Sequence, residues 1–208
     1  MKNFIILFFL LVATTSFASQ KAITDTGDEV ILYKDGTWAY SDDAQRVSSA
    51  IETNSQKFVK PDNATFQLKS TKNNTIYWVN TNKWVFTKEV ENPAAEYEFR
   101  LKNKDVYGMA ITEEAAFPLE ALIDIAFTNA LAASPDAKII EKEYRVVNGI
   151  KVIYMQMVGT VQGIKAYYLG YYYTDESGST QVLLYTTANL IDKYKTEMFD
   201  FLNGFGSR

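Results

Sequence analysis

The sequence predicts an α+β fold: an antiparallel β-sheet with helices packed on it, preceded by a small N-terminal β-hairpin. Three observations predict it. Apolar residues alternate with polar ones in short runs between residues 65 and 111. One strong helical-period run follows, then four turn-bounded strand runs. A second helical run closes the chain. Strands segregated from helices in this way bury their apolar faces as helices on an antiparallel sheet, because antiparallel neighbours need only short turns.

The chain begins with Lys2, an unbroken apolar run from Phe4 to Ala13, and the small residues Ser16 and Ala18. This is the pattern of a secretory signal peptide over residues 1–18, cleaved after Ala18. Ten apolar residues fall short of the ~20 that a membrane-spanning helix needs. No other run in the sequence is long enough, so no membrane span is expected. The expected location of the processed chain is the periplasm or the exterior.

Glu29 to Tyr33 and Thr37 to Tyr40 read as two strands around Lys34-Asp35-Gly36. Asp-Gly favours a hairpin because Gly accepts the positive φ that tight turns require. An isolated hairpin is marginal in water, so the reading for residues 19–40 includes docking through Trp38. The segment TDTGDEVILYKDGTW resembles a short motif found at the start of many exported bacterial proteins. Residues 41–64 are rich in Ser, Asp, Asn, Gln and Lys and read as a linker, with a weak helical turn around Val47, Ala50 and Ile51.

Residues 65–208 form the expected α+β domain. Thr65 to Lys69 is a weakly alternating strand. Thr75 to Asn80 and Lys83 to Thr87 read as a hairpin across Asn80-Thr81-Asn82. Tyr97, Phe99 and Leu101 alternate with charged residues, and so do Tyr107, Met109 and Ile111 beyond a turn at Asn103-Lys104-Asp105. Leu119, Leu122, Ile123, Ala126, Phe127, Ala130 and Leu131 then recur at helical spacing, with Pro118 in the first turn, where its missing N–H costs nothing. Ser134-Pro135-Asp136 ends that helix. The strands Ile139 to Val147, Ile150 to Val158, Ile164 to Thr174 and Thr180 to Thr187 follow. Asn148-Gly149, Gly159 to Gly163 and Asp175 to Ser179 turn between them. Leu190 to Asn203 is the closing helix, with Ile191, Tyr194, Met198, Phe201 and Leu202 on its apolar face and Gly204 as its left-handed C-terminal residue.

The segments PLEALIDIAFTNAL, EYRVVNGIKVIYMQM and YYLGYYYTDESGSTQVLLYTTANL, in this order, resemble the PsbP-like α/β/α sandwich family over about residues 97–205. That resemblance implies a non-catalytic binding or assembly role and carries no functional residue with it.

Composition limits the chemistry. The chain has 208 residues, no Cys, no His and 30 aromatics. Without Cys there are no disulfides, thiolate nucleophiles or thiolate metal sites. Without His the commonest general base and transition-metal ligand are missing. The expectation is therefore no catalytic residue, no metal and no cofactor. The net charge of −4 and the lack of a basic patch argue against nucleic acid as a partner. Residues of about this number can bury a core without disulfides.

Tyrosines mark the candidate surface. Eight of the 14 lie between Tyr144 and Tyr185. Alternation puts Ala166, Tyr168, Gly170, Tyr172 and Thr174 on one face of their strand and Lys165, Tyr167, Leu169, Tyr171 and Tyr173 on the other. Both faces are substantially apolar, so both are expected to be covered. Tyr154, Gln156, Tyr168, Tyr172 and Tyr185 are the expected ligand or partner surface, since a tyrosine offers a large ring and a hydroxyl. Cross-strand aromatic pairing is the alternative. The leading functional reading is an exported non-catalytic module that binds a small ligand or a protein partner in the bacterial envelope. Two others remain open: a carboxylate-dependent hydrolase of an extracytoplasmic polymer and a purely structural envelope component. Glu113-Glu114 point apart on a strand. Asp25, Asp28 and Glu29 lack the spacing of a calcium loop. Asn63 and Asn73 each begin a glycosylation sequon.

Overall fold

A computed structural model describes residues 20–23, 29–32, 38–40 and 51–208. The chain divides into two units, residues 1–49 and 50–208. In the first, β1 (Gln20–Ile23), β2 (Glu29–Leu32) and β3 (Trp38–Tyr40) form an antiparallel meander in that order. The expected hairpin thus gains a third strand. The signal peptide, the Lys34-Asp35-Gly36 turn, the docking of the Trp38 side chain, the carboxylates of Asp25, Asp28 and Glu29, and the helical turn at Val47 and Ala50 lie outside what is described.

The second unit is α+β. Its strands are β4 (Glu52–Phe58), β5 (Phe66–Lys69), β6 (Thr75–Val79), β7 (Trp84–Thr87), β8 (Tyr97–Leu101) and β9 (Val106–Glu113). Helix α1 (Leu119–Ala133) follows, then β10 (Lys138–Val147), β11 (Ile150–Val161), β12 (Ile164–Asp175) and β13 (Gly178–Thr187). Helix α2 (Ile191–Leu202) and β14 (Phe205–Ser207) end the chain. Eight strands form one sheet in the order β4-β10-β11-β12-β13-β9-β8-β7, and β14-β6-β5 form a second. The large sheet is antiparallel except at one edge, where β4 runs parallel to β10.

Four details differ from the sequence reading. Residues 52–58, read as linker, are a strand. Its largely exposed polar side chains carry no alternation signal, and backbone pairing with β10 holds it. The Thr75–Asn80 and Lys83–Thr87 runs are not a hairpin: β6 pairs with β5 and β14, whereas β7 pairs with β8. The Asn80 carbonyl accepts the N–H groups of Lys83 and Trp84, a tight turn that sends the chain into the other sheet. Gly159 lies within β11, and the turn falls at Gln162 and Gly163, with φ of 50° and 80°. Gly204 is not left-handed. It is small because a Cβ there would stand 2.1 Å from the Trp78 carbonyl oxygen, whose own amide donates to the Gly204 carbonyl.

Asn148 and Gly149, at φ 49° and 87°, make the expected hairpin turn between β10 and β11. Both faces of the large sheet are covered. One carries Tyr77, Trp84, Phe99, Leu169, Tyr171, Leu184, Met198, Phe201 and Phe205 in a single buried cluster that includes α2 and the small sheet. The other carries Ile153, Met155, Met157 and Tyr172 beneath Leu122, Ile123 and Ala126 of α1. Among the described residues, no helix is long and apolar enough to cross a membrane.

Candidate functional site

The register divides the tyrosine candidates between the two faces. Tyr154 lies opposite Tyr171, and Gln156 opposite Leu169, so both face the α2 side. Tyr168 lies opposite Met157 and Tyr185, and Tyr172 opposite Ile153 and Gln181, so these face α1.

Around Arg145 on the α2 side the polar groups satisfy one another. The Tyr154 hydroxyl donates to Gln156 Oε1 at 2.9 Å, and both residues are buried. The guanidinium of buried Arg145 sits 3.7 Å from the centre of the Tyr154 ring, 4.6 Å from that of Phe58 and 5.1 Å from that of Phe199. Its Nε donates to Glu143 Oε1 at 2.6 Å, and the same oxygen accepts from Asn54 Nδ2 at 2.9 Å. Tyr171 in turn donates to Asn203 Oδ1 at 2.7 Å. Burial raises the Tyr154 and Tyr171 hydroxyls above the usual phenol value, so both remain neutral donors. A buried cation needs a paired carboxylate and satisfied donors, and here the aromatic rings supply the remaining cover. This cluster ties β4, β10, β11, β12 and α2 together.

The α1 side is different. Leu119, Leu122 and Ile123 fill the space under the first half of the helix. The second half presents Ala126, Ala130 and Ala133. Alanines are too short to reach the sheet, and a cavity of about 230 Å³ remains between them and Met109, Met157, Tyr168 and Leu183. Its lining is mainly apolar and contains no charged side chain among the described residues.

Two tethers hold α1 at this height. At its start, the Phe117 N–H donates to Ser179 Oγ of β13 at 3.0 Å. At its end, Ser134 Oγ accepts from the Thr160 N–H at 2.7 Å and donates to Asp136 Oδ1 at 2.7 Å. Asp136 also accepts from the Thr160 N–H and hydroxyl, each at 2.8 Å. Hydrogen bonds from Ser134 and then Thr160 hold the Asp136 carboxyl down to about 2.

Three polar side chains distinguish the site. Gln181 lines the cavity, is 8% exposed, and its amide has no partner among the described residues. Tyr172 is fully buried in the wall, and its hydroxyl has no partner among the described residues. Burial raises that hydroxyl far above the usual phenol range. Tyr168 borders the cavity and packs at 5.6 Å against Tyr185, which packs at 5.7 Å against Tyr107.

The site therefore contains Tyr168 and Tyr172 from the expected set, with Tyr185 adjoining. Tyr154 and Gln156 belong to the arginine cluster on the far face. Gln181, Met109 and Met157 were not singled out in the sequence. The signal for them was the alternation that put Tyr172 on this face, extended one strand to β11 for Met157, and one and two strands to β13 and β9 for Gln181 and Met109. The signal for the cavity was the change from Leu and Ile to Ala along the apolar stripe of α1. Elsewhere, Glu113 and Glu114 are exposed and lie outside the cavity lining. Asn73, one of the sequon residues, is buried and donates to Thr180 Oγ1 at 2.9 Å.

These features sit on a PsbP-like fold. The chain is similar in structure to cyanobacterial PsbP (CyanoP) from Synechocystis sp. PCC 6803. That match has a TM-score of 0.54 and 18% sequence identity over 69% of this chain and 92% of the other. A protein of unknown function, PA94 from Pseudomonas aeruginosa, also matches, with a TM-score of 0.44 and 11% identity over 60% of this chain and 83% of that one. No family model and no curated protein matches the chain.

Proposed function

We propose that this chain is an exported, non-catalytic binding module of the bacterial envelope, and that its ligand site is the cavity between α1 and the β11–β12–β13–β9 face. The observation that carries this reading is the unfilled 230 Å³ beneath α1, with an unpartnered, nearly buried Gln181 amide in its wall. An apolar recess of this size leaves its lining without the dispersion contacts that a close-packed interior makes, and the Gln181 amide at its wall offers a donor and an acceptor. A ligand that fills the space gains both. The tethers at Phe117 and Ser134 keep the space open beforehand, so binding does not have to lift the helix.

Export is supported by the Lys2 to Ala18 pattern alone. N-terminal sequencing of the secreted product tests it, with Ser19 as the expected first residue. A ligand that binds only the native state raises its apparent stability. A panel of small apolar and polar molecules is therefore expected to raise the melting temperature of the native chain. Ala130→Phe, which fills the cavity with a ring, should show no such rise. A panel without effect on the native chain would contradict the reading.

A further inference from the structure

The chemistry of the cavity wall narrows the ligand, on the reading just given that the cavity is the binding site. We propose that the site takes a neutral molecule of single-ring size whose one hydrogen-bonding group pairs with the Gln181 amide. Size follows from volume. A cavity of ~150 Å³ lined by apolar side chains accepts benzene, so about 230 Å³ has room for a substituted ring, with the open side of the site bordered by exposed Asn129 and Ala133. Shape follows from the walls. Met109 and Met157 present polarizable thioethers, which make favourable contacts with ring edges, and Tyr168 adds an aromatic surface.

Neutrality follows from charge. Among the described residues, no Lys, Arg, Asp or Glu lines the cavity. The nearest carboxylate described at its helix end, Asp136, is committed to Ser134 and Thr160. Arg145 and Glu143 lie on the opposite face of the sheet. A charge placed against this lining, beside Gln181, would lose its hydration with no countercharge to replace it. A side-chain amide offers a donor and an acceptor, so it pairs with a carboxamide, a carbonyl or a hydroxyl.

The test uses four probes of nearly one shape: benzamide, benzoate, benzylammonium and toluene. Binding to the native chain is followed by calorimetry and by the methyl resonances of Met109 and Met157. Benzamide is expected to shift both methyls and to bind at least tenfold more tightly than either ion. Gln181→Leu is expected to weaken benzamide at least tenfold without weakening toluene. Benzoate binding in the cavity as tightly as benzamide would overturn the neutral-ligand inference. Benzamide affinity unchanged in Gln181→Leu would overturn the pairing. Either result would leave the cavity as a binding site. If no probe moves the methionine methyls, or if Ala130→Phe leaves binding unchanged, the binding-module reading falls with it. The comparison of benzamide with benzoate needs no variant, so it decides the matter even if Gln181→Leu does not fold.

Discussion

Ser134, just past the end of α1, reaches the sheet because residue 159 of β11 is glycine. A Cβ on Gly159 would stand 2.4 Å from Ser134 Oγ and 3.1 Å from Ser134 Cβ. The glycine is needed for this close approach and not for a left-handed turn. It lets Ser134 accept the Thr160 amide and thereby sets the distance between helix and sheet around the cavity. Gly159→Ala should push the helix end away and destabilise the fold by ~1–3 kcal/mol, the usual cost of overpacking. Urea denaturation reads the stability. Hydrogen exchange at the Thr160 amide should accelerate selectively. Unchanged protection there would refute the tether.

Tyr172 makes an opposite prediction. Its hydroxyl is buried and unpartnered, and its ring lies across Gly170, where a Cβ would be 3.0 Å from Cε2. Tyr172→Phe removes the unpaired polar group and keeps the ring. Stability should rise by ~1 kcal/mol, about 2–4 °C in melting temperature for a chain of this size. A fall would mean that the hydroxyl is satisfied.

The Asp136 carboxyl gives a pH signature. Its folded value of about 2 lies below its ordinary value of 3.8. A group whose pKa is depressed on folding stabilises the protein above its unfolded pKa, and that contribution disappears as pH falls through the folded value. The clamp should therefore be fully present at neutral pH and be lost between about pH 4 and pH 2. Urea midpoints measured across that window should fall more steeply for the native chain than for Asp136→Asn. Parallel curves would contradict the assignment.

The arginine cluster should behave as structure and not as a ligand site. Arg145→Ala empties the space between Phe58, Tyr154 and Phe199 and leaves the half-buried Glu143 carboxylate with Asn54 as its donor. Losing the packing of a buried side chain of this size should cost about 2–5 kcal/mol. Arg145→Met keeps most of the packing and should cost less. Neither should change binding of a neutral probe in the α1 cavity once the protein is folded. Chemical denaturation and calorimetry measure the two effects separately.

Much of this architecture is legible in the residues. Helix α1, helix α2 and the β10–β13 meander carry long, consistent periods, and Asn148-Gly149 announces its own turn. Strand β4 is invisible because a polar edge strand needs only a backbone partner. The separation of β6 from β7 is decided by packing against α2 and β14, which no local pattern encodes. The candidate site was half legible. Alternation placed Tyr168 and Tyr172 on one face, but it could not say that Arg145 would gather Tyr154 and Phe199 around itself. A cavity is harder still. It arises where Ala126, Ala130 and Ala133 meet a sheet face whose side chains do not extend to compensate, and that mismatch belongs to a pair of surfaces.

The most direct test of the account is a crystal structure of the protein soaked with benzamide. The ring should lie between α1 and β12–β13, beside Met157, with its carboxamide within hydrogen-bond distance of the Gln181 amide and the helix unmoved. A helix collapsed onto the sheet, or benzamide bound only elsewhere on the surface, would contradict it.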